Sequence, residues 1–453
     1  MKIWKFIPNT RQGSTKNDIF SFLLRGAGTA FVMQVFGVGL SYIIQVLLAR
    51  WMGAVEYGTY NYVLAWTVLL AIPAGLGFPT TVLRFIPEYI TKSEWGRLHG
   101  VIRASRQLCM LTSLALSLLG TVVVFWLETY KNLPYSRPLL LGFWMIPLQV
   151  ATTLESGMAK AVSRIDLSYV PTLVQPVLIA GCGFFLVQKN PNLTTVPVMG
   201  ATILTLLAVL VIQLWLFHPV LPLKVYQTSP VYENREWLRV SLPLLLIAGF
   251  VLLLNQTDIL MIGALRGTQE VGIYKAATKV ASLVNIILIA VNTVAAPIFS
   301  SLYAEGKRED LQKMAGVVVH WIFWPSLVIN LILIIFGKQI LSVFGSEFNA
   351  AYLEMVILAI GQLVNAGTGS VGFLLNMTGH QNKSAYVYGS SCLINMLLNA
   401  ITIPAYGSVG AAASTATTMI FWNIWLHSLV EKNIGVKSSI VDSLVFYLKS
   451  KKS

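Results

Sequence analysis

Charge is scarce in this chain. Only 11% of its 453 residues are Asp, Glu, Lys or Arg, against about 25% in a soluble domain, which needs a polar surface to stay dissolved. That shortage excludes a water-soluble fold. Cysteine is also rare, and Cys109, Cys182 and Cys392 all lie in apolar stretches without metal-ligand spacing, so a disulfide framework or a zinc site is excluded. Short alternating strand patterns of the kind a β-barrel needs are missing. So are long polar loops: the largest connections, 81–106 and 218–239, are too short for a soluble domain. No Walker motif, no strand-Gly-helix nucleotide signature and no ordered His/Asp/Glu cluster stands on a loop. Energy for any work the chain does must then come from an ion gradient, the membrane potential or a substrate's own gradient, and no cofactor or metal is expected.

What the sequence does have is apolar residues, 56% of the total, with a mean hydropathy of +0.70. They come in segments of roughly 20, the length that crosses the hydrocarbon as a helix. Lipid-facing backbone must be satisfied within its own segment, so helices are the expected element, and the fold class is an all-α integral membrane protein. Twelve windows qualify: 26–49, 59–80, 107–127, 138–157, 168–187, 197–217, 240–264, 271–296, 315–336, 350–378, 384–404 and 408–430. The first is too long for a signal-peptide core and lacks a cleavage site. It reads as a span with the basic tail 1–25 before it on the inside.

Charge tests this count. With the N-terminus inside, inner segments hold 24 Lys/Arg and outer loops only 6, the remaining two being Lys275 and Lys279 within a span. Lys and Arg collect on the cytoplasmic side, so the net charge of +14 reflects topology rather than a nucleic-acid partner. Both termini are placed in the cytoplasm. The expected organisation is a tail 1–25, a first lobe 26–217 of six helices, a linker 218–239, a second lobe 240–430 of six, and a tail 431–453. Residues 438–452 fit either a short amphipathic surface helix or a solvated tail.

One pattern occurs twice. Gly53-x-x-Glu56-x-Gly58-x-Tyr60 returns as Gly267-x-x-Glu270-x-Gly272-x-Tyr274, displaced by 214 residues at every position. Both copies join an odd-numbered span to the next on the outside. A duplicated six-helix unit follows. Six being even, the copies enter the membrane in the same sense, as a parallel repeat about an axis along the membrane normal.

Polar residues inside spans mark the candidate site, because charge at depth must face a cavity or a partner. Lys275, Thr278, Ser282, Asn285 and Asn292 follow the three-four spacing of one helix face, with Lys279 beside them. Inter-helix hydrogen bonding explains Ser and Asn; two lysines point to a water-filled lumen. Asp258, the acid inside the preceding span, lies at a similar depth. It reads either as a salt-bridge partner for these lysines or as a proton or cation site. Asn365 and Gln362 in the tenth span, and Asn395 with Asn399 in the eleventh, continue the polar theme. Arg25, Arg50 and Arg84 lie at span edges, where side chains snorkel; with the lysines they offer positive charge to an anionic substrate, a phosphate above all.

Several stretches resemble a known family. They are LARWMG from Leu48 to Gly53 with EYGTY from Glu56 to Tyr60, Leu76-Gly77 and Arg84-Phe85; Asp258 to Gly263, Val271 to Tyr274, Pro297 and Leu302-Tyr303; and Phe344-Gly345, Gly361-Gln362, Asn376 to Gly379, Asn395, Pro404, Tyr406-Gly407 and Gly410 to Ala412. In this order they resemble the polysaccharide-type flippases of the multidrug/oligosaccharidyl-lipid/polysaccharide exporter superfamily, which move O-antigen and exopolysaccharide repeat units. The match runs nearly the whole chain, each motif being loose and the order fairly specific. The resemblance implies two six-helix bundles around a V-shaped central cavity, and a polyprenyl-diphosphate-linked oligosaccharide carried from the inner to the outer leaflet by alternating access. It implies a cationic lumen for the diphosphate and makes Arg25, Arg50 and Arg84 lumen or mouth residues. It also implies the cell membrane as location, with glycosyltransferases and a polymerase of the same pathway as partners. The alternative within the superfamily is a cation-coupled multidrug exporter. A membrane-embedded glycan polymerase or ligase, an enzyme, is the reading from another class, and the short outer loops speak against it.

Overall fold

A computed structural model describes residues 16–131 and 135–443, and every regular element among them is helical. In chain order the α-helices are α1 (Lys16–Ala74), α2 (Phe78–Thr91), α3 (Trp95–Lys131), α4 (Ser136–Ala161), α5 (Ile165–Ser168), α6 (Val170–Lys189), α7 (Thr195–Phe217) and α8 (Leu223–Gln227). They continue as α9 (Asn234–Leu265), α10 (Thr268–Ala281), α11 (Asn285–Ala304), α12 (Arg308–Ser342), α13 (Tyr352–Thr368), α14 (Val371–Met377) and α15 (Gln381–Ile434). Nine helices among the described residues are long and apolar enough to cross a membrane, or ten if the bent pair Asn234–Leu246 and Gly249–Leu265 forms one span. The protein is a multi-pass membrane protein.

Two helices hide a break. Gly53 inside α1 has φ 72° and ψ 170°, and Gly407 inside α15 has φ 58° and ψ −139°. The first of these lies in a region of backbone space that is essentially glycine's alone. Gly267, the repeat partner of Gly53, adopts nearly the same conformation, φ 94° and ψ 171°, where α9 hands over to α10. The duplicated pattern is therefore a duplicated chain turn.

Helix also extends beyond the apolar windows. The connection 81–106 is helical except around residues 92–94, and residues 50–58, expected as a loop, are helix on both sides of Gly53. Hydropathy reports the part of a helix in lipid, whereas hydrogen bonding continues into the polar interface. The tenth window runs the other way. It stops at Thr368, breaks at Gly369 with φ 73°, and resumes as the seven-residue α14. Of the C-terminal segment 438–452, residues 440–443 form a helical turn, and 444–453 lie outside the described residues.

The chain divides into two compact units. The first takes the described residues of Met1–Ile44, Trp66–Asn190 and Val196–Ala248; the second those of Gln45–Ala65, Pro191–Thr195 and Gly249–Ser453. In the first, α3 packs along α4 and both hold α2. Apolar packing between helices gains little in lipid, so hydroxyls stitch these helices together. Thr67 Oγ1 donates to Gly142 O at 3.0 Å, Thr112 Oγ1 to Ala74 O at 2.6 Å and Ser117 Oγ to Phe143 O at 2.7 Å. Arg106 forks onto the buried Glu155 at 2.7 and 2.8 Å. The linker 218–239 folds back on α2 and α3: Trp237 Nε1 donates to Tyr89 Oη at 3.0 Å, and Arg97 pairs with Glu233 at 2.9 Å. Burial pushes the Tyr89 hydroxyl up to about 12.

In the second unit the two copies of the repeat pack on each other. A Cβ on Gly58 would lie 1.7 Å from Thr268 O, and one on Gly272 would lie 2.2 Å from Ala54 O. Only glycine permits this approach of backbones. The glutamates of the motif also act alike. Glu56 Oε2 accepts from the Thr195 N–H at 2.6 Å, the first residue of α7. Glu270 Oε2 accepts from the Ser408 N–H at 2.9 Å, directly after the break at Gly407. Each carboxylate caps the positive end of a helix, and the two capped positions are 213 residues apart.

Candidate functional site

The polar face of α10 opens onto a cavity of about 280 Å³ inside the second unit. Lys275, Thr278, Lys279, Ser282 and Asn285 line one wall, and Asn255, Gln256 and Asp258 of α9 another. Gln362 from α13 and Thr415 from α15 complete the polar lining. The three-four spacing put Lys275, Thr278, Ser282 and Asn285 on one side, and the chain keeps them there through a change of winding. α10 ends at Ala281, a 3₁₀ turn spans Ser282–Val284, and α11 resumes at Asn285. Thr278 and Ser282 turn their hydroxyls back onto the Lys275 and Lys279 carbonyls at 2.9 and 2.7 Å. That back-bonding is how such residues meet their hydrogen-bonding needs within a span.

Asp258 is 4% exposed, and the group facing it is not a lysine. Its Oδ2 accepts from Tyr274 Oη at 2.5 Å and from Thr415 Oγ1 at 2.6 Å; its Oδ1 accepts from Asn399 Nδ2 at 2.6 Å. Asn399 Nδ2 also donates to Asn395 Oδ1 at 3.0 Å, and Asn395 Nδ2 donates to Thr415 Oγ1 at 3.2 Å. Among the described residues no Lys or Arg nitrogen lies within 4.0 Å of Asp258. The salt bridge that depth alone suggested is replaced by three neutral donors converging on one carboxylate. Lys275 and Lys279 line the cavity rather than pairing with Asp258.

The other expected residues distribute as follows. Asn365 donates to Asn285 Oδ1 and to Gln362 Oε1, each at 3.5 Å, and so stands directly behind the wall. Asn395 belongs to the Asp258 network. Asn292 is buried away from the cavity and accepts from Ser370 Oγ. Arg50 and Arg84 are exposed and do not line this cavity; the Arg84 guanidinium lies 5.4 Å from the Phe85 ring centroid. Arg25 lies on α1, and its side chain falls outside the described residues.

Sequence reasoning missed two participants and one buried acid. Tyr274 was noted only as a letter of the repeat and of the family motif, Thr415 lay in a stretch of small residues, and Glu354 stood at the edge of a window. Glu354 is 3% exposed. Its Oε1 accepts from Ser408 Oγ at 2.6 Å, while its Oε2 has no hydrogen-bond partner among the described residues. The Asn395–Asn399 pair, spaced i to i+4, was the signal that could have placed Asp258. Among the described residues no group of three or more His, Cys, Asp or Glu could hold a metal ion.

Comparison with known proteins places the chain. The pattern of a family described as "Polysaccharide biosynthesis protein" matches residues 23–303. The chain belongs to that family. The family described as MatE also matches, over residues 243–401. A relative from Haloferax volcanii, named "Probable low-salt glycan biosynthesis flippase Agl15", is 25% identical over 415 residues, or 90% of this chain and 83% of its own length. Among solved structures, the lipid II flippase MurJ in an inward closed conformation has a TM-score of 0.69 at 15% identity, covering 93% of this family member and 92% of MurJ. An inward-facing multidrug resistance MATE family transporter of the MOP superfamily also scores 0.69, at 14% identity, covering 90% and 94%. Both likenesses show that this polysaccharide biosynthesis family protein has the MATE-like fold.

Proposed function

We propose that this protein flips a polyprenyl-diphosphate-linked oligosaccharide, a polysaccharide repeat unit, from the inner to the outer leaflet by alternating access. The observation that carries the reading is the cavity wall of Lys275 and Lys279 in a spanning helix, with the nearby acid Asp258 already occupied by neutral donors. A cavity so charged attracts an anion, and a diphosphate offers several acceptor oxygens to ammonium groups. Family membership and the flippase name of the Haloferax volcanii relative support the same cargo class. A drug exporter for cations would gain from the opposite charge, which ranks that alternative second.

We infer that α1 and α15 each supply two spans, separated at Gly53 and Gly407. The candidate stretch Val32–Ala74 has 43 residues and α15 has 54, against about 20 for one crossing. Counting each as two raises ten spans to twelve, six in each repeat, with both termini on the cytoplasmic side of the cell membrane, a placement that the Lys/Arg distribution supports. Lys275, Lys279, Ser282 and Asn285 would hold the headgroup, with Asn365 buttressing them and Arg25, Arg50 and Arg84 attracting phosphate at the mouths. Asn292 and Asn395 act in packing around the cavity. Asp258 is the candidate coupling site, where a proton or small cation would compete with the Tyr274, Asn399 and Thr415 donors for carboxylate oxygen. Glycosyltransferases that build the cargo and a polymerase that consumes it are the expected neighbours in the pathway.

A strain lacking this protein tests the reading. Lipid-linked glycan should accumulate on the inner leaflet and disappear when the gene is restored. Normal outer-leaflet glycan in the deletion strain would overturn the proposal.

A further inference from the structure

The short break between α13 and α14 is held by three separate parts of the second unit. Thr368 Oγ1 donates to Asn423 Oδ1 of α15 at 3.0 Å, and Ser370 Oγ donates to Asn292 Oδ1 of α11. The third support comes from the segment that follows α15. Ser438 Oγ donates to Thr368 O at 3.3 Å, and a Cβ on Gly369 would lie 2.8 Å from Ser438 O. The break directly follows the candidate span Ser346–Thr368 and is held from three sides.

The segment 435–443 is itself strapped down. Gln312 of α12 meets both backbone groups of Lys437: its Nε2 donates to Lys437 O, and its Oε1 accepts from Lys437 N, each at 2.7 Å. His427 of α15 lies 3.2 Å from Asp442 Oδ2, and its other ring nitrogen lies 3.5 Å from Ser438 Oγ. Ser439 turns the strap by donating to Asp442 at 2.6 Å, and Ser443 reaches His320 of α12 at 3.4 Å. The remaining charges nearby, Glu431 and Lys437, pair with each other at 3.4 Å. Val436 and Ser438 are each 1% exposed, so the strap is packed into the unit rather than trailing from it.

The break connects to the cavity wall through Asn365. Thr368 Oγ1 shares its one proton between Asn423 Oδ1 and Asn365 O, the latter at 2.9 Å, and Asn365 backs Asn285 and Gln362 in the cavity wall. Beside the break, Asn292 Nδ2 is buried without a partner among the described residues. An unsatisfied buried amide is costly, and a rearrangement that gave this group a partner would recover that cost.

We propose that the strap 435–443 is a latch: clasped by Gln312 and by the His427–Asp442 pair, it holds the Gly369 break and thereby sets how far the Asn285–Gln362 wall of the cavity opens. The clasp acts at a distance from the cargo, so the inference goes beyond the transport reading and does not depend on which molecule the cavity binds.

The test uses the full chain in lipid nanodiscs, with Cys109, Cys182 and Cys392 replaced by Ser and Ser282→Cys as a reporter in the cavity. A charged maleimide reads the reporter's exposure, and hydrogen exchange reads the backbone amides of 369–372. Releasing the clasp with Gln312→Ala and Asp442→Asn should speed both. Labelling should rise roughly fivefold, the shift expected when about one hydrogen bond of restraint is lost. Faster exchange with unchanged labelling would reduce the strap to local packing and overturn the proposal, as would no change in either. If the double variant does not purify as a single species, Asp442→Asn alone, at a partly exposed position, decides by the same two readouts.

Discussion

Lys275 and Lys279 stand where the first copy of the repeat has Asn61 and Ala65, and Asp258 stands where it has Ile44. The duplicated framework is shared, but charge was placed in only one copy, and Asn61 spends its amide on the Tyr57 carbonyl at 2.8 Å. The proposed function rests on those differences at this scale. Replacing both lysines, Lys275→Ala with Lys279→Ala, should leave the protein inserted yet lower glycan export at least about tenfold, the loss expected when charged hydrogen bonds to phosphate are removed. Measuring outer-leaflet glycan in the complemented deletion strain checks this; export at the parent rate would remove the cationic cavity from the account. Asp258→Asn swaps an acceptor-only group for an amide facing three donors. It should destabilise the protein by about 1–3 kcal/mol, read as a lower midpoint in thermal unfolding, and should change the ion dependence of export. Identical export across proton and sodium gradients would leave Asp258 a structural acceptor. The lysine face was legible because helix spacing is local. Thr415 and Tyr274 were not, because only the fold brings α15 and α10 against α9.

Among helices, the crossing of the two repeat motifs is the most constrained contact in the second unit. Gly58→Ala puts a methyl 1.7 Å from the Thr268 carbonyl, and backbone cannot yield as a side chain can. The expected cost is about 3 kcal/mol or more, at the upper end of overpacking, seen as poor yield or early unfolding. Gly267→Ala is the control. Nothing lies within 4 Å of its Cβ, so it should cost only the strain of its positive φ, about 1–3 kcal/mol. Equal tolerance at both positions would contradict the close crossing. Glu56→Gln and Glu270→Gln each keep an acceptor for the helix they cap but lose its charge, and should each cost about 0.3–1 kcal/mol in the same unfolding assay. The repeat was visible as four identical letters at one spacing, since a chain turn that needs glycine leaves a glycine in the sequence. What those letters touch was not visible. Two glycines facing each other across a helix crossing leave no mark that distinguishes them from glycines in a turn. The helix through 50–58 and 81–106 was missed because hydropathy follows apolar content, whereas helical hydrogen bonding continues through polar residues.

For the whole molecule, the membrane class could be read from the shortage of charge, and the orientation rests on where Lys and Arg collect. The cargo rests on the cavity's charge and on family membership together, which makes it the claim most in need of a direct test. The measurement is translocation in vesicles reconstituted with the purified protein and loaded in one leaflet with a polyprenyl-diphosphate-linked oligosaccharide, followed by a glycan-modifying enzyme added to the opposite side. The expected result is that glycan becomes accessible to the enzyme only in vesicles containing the protein, and that the Lys275→Ala/Lys279→Ala variant abolishes the gain. Glycan that stays inaccessible in vesicles where the same protein moves a cationic drug would contradict the account and put the exporter reading in its place.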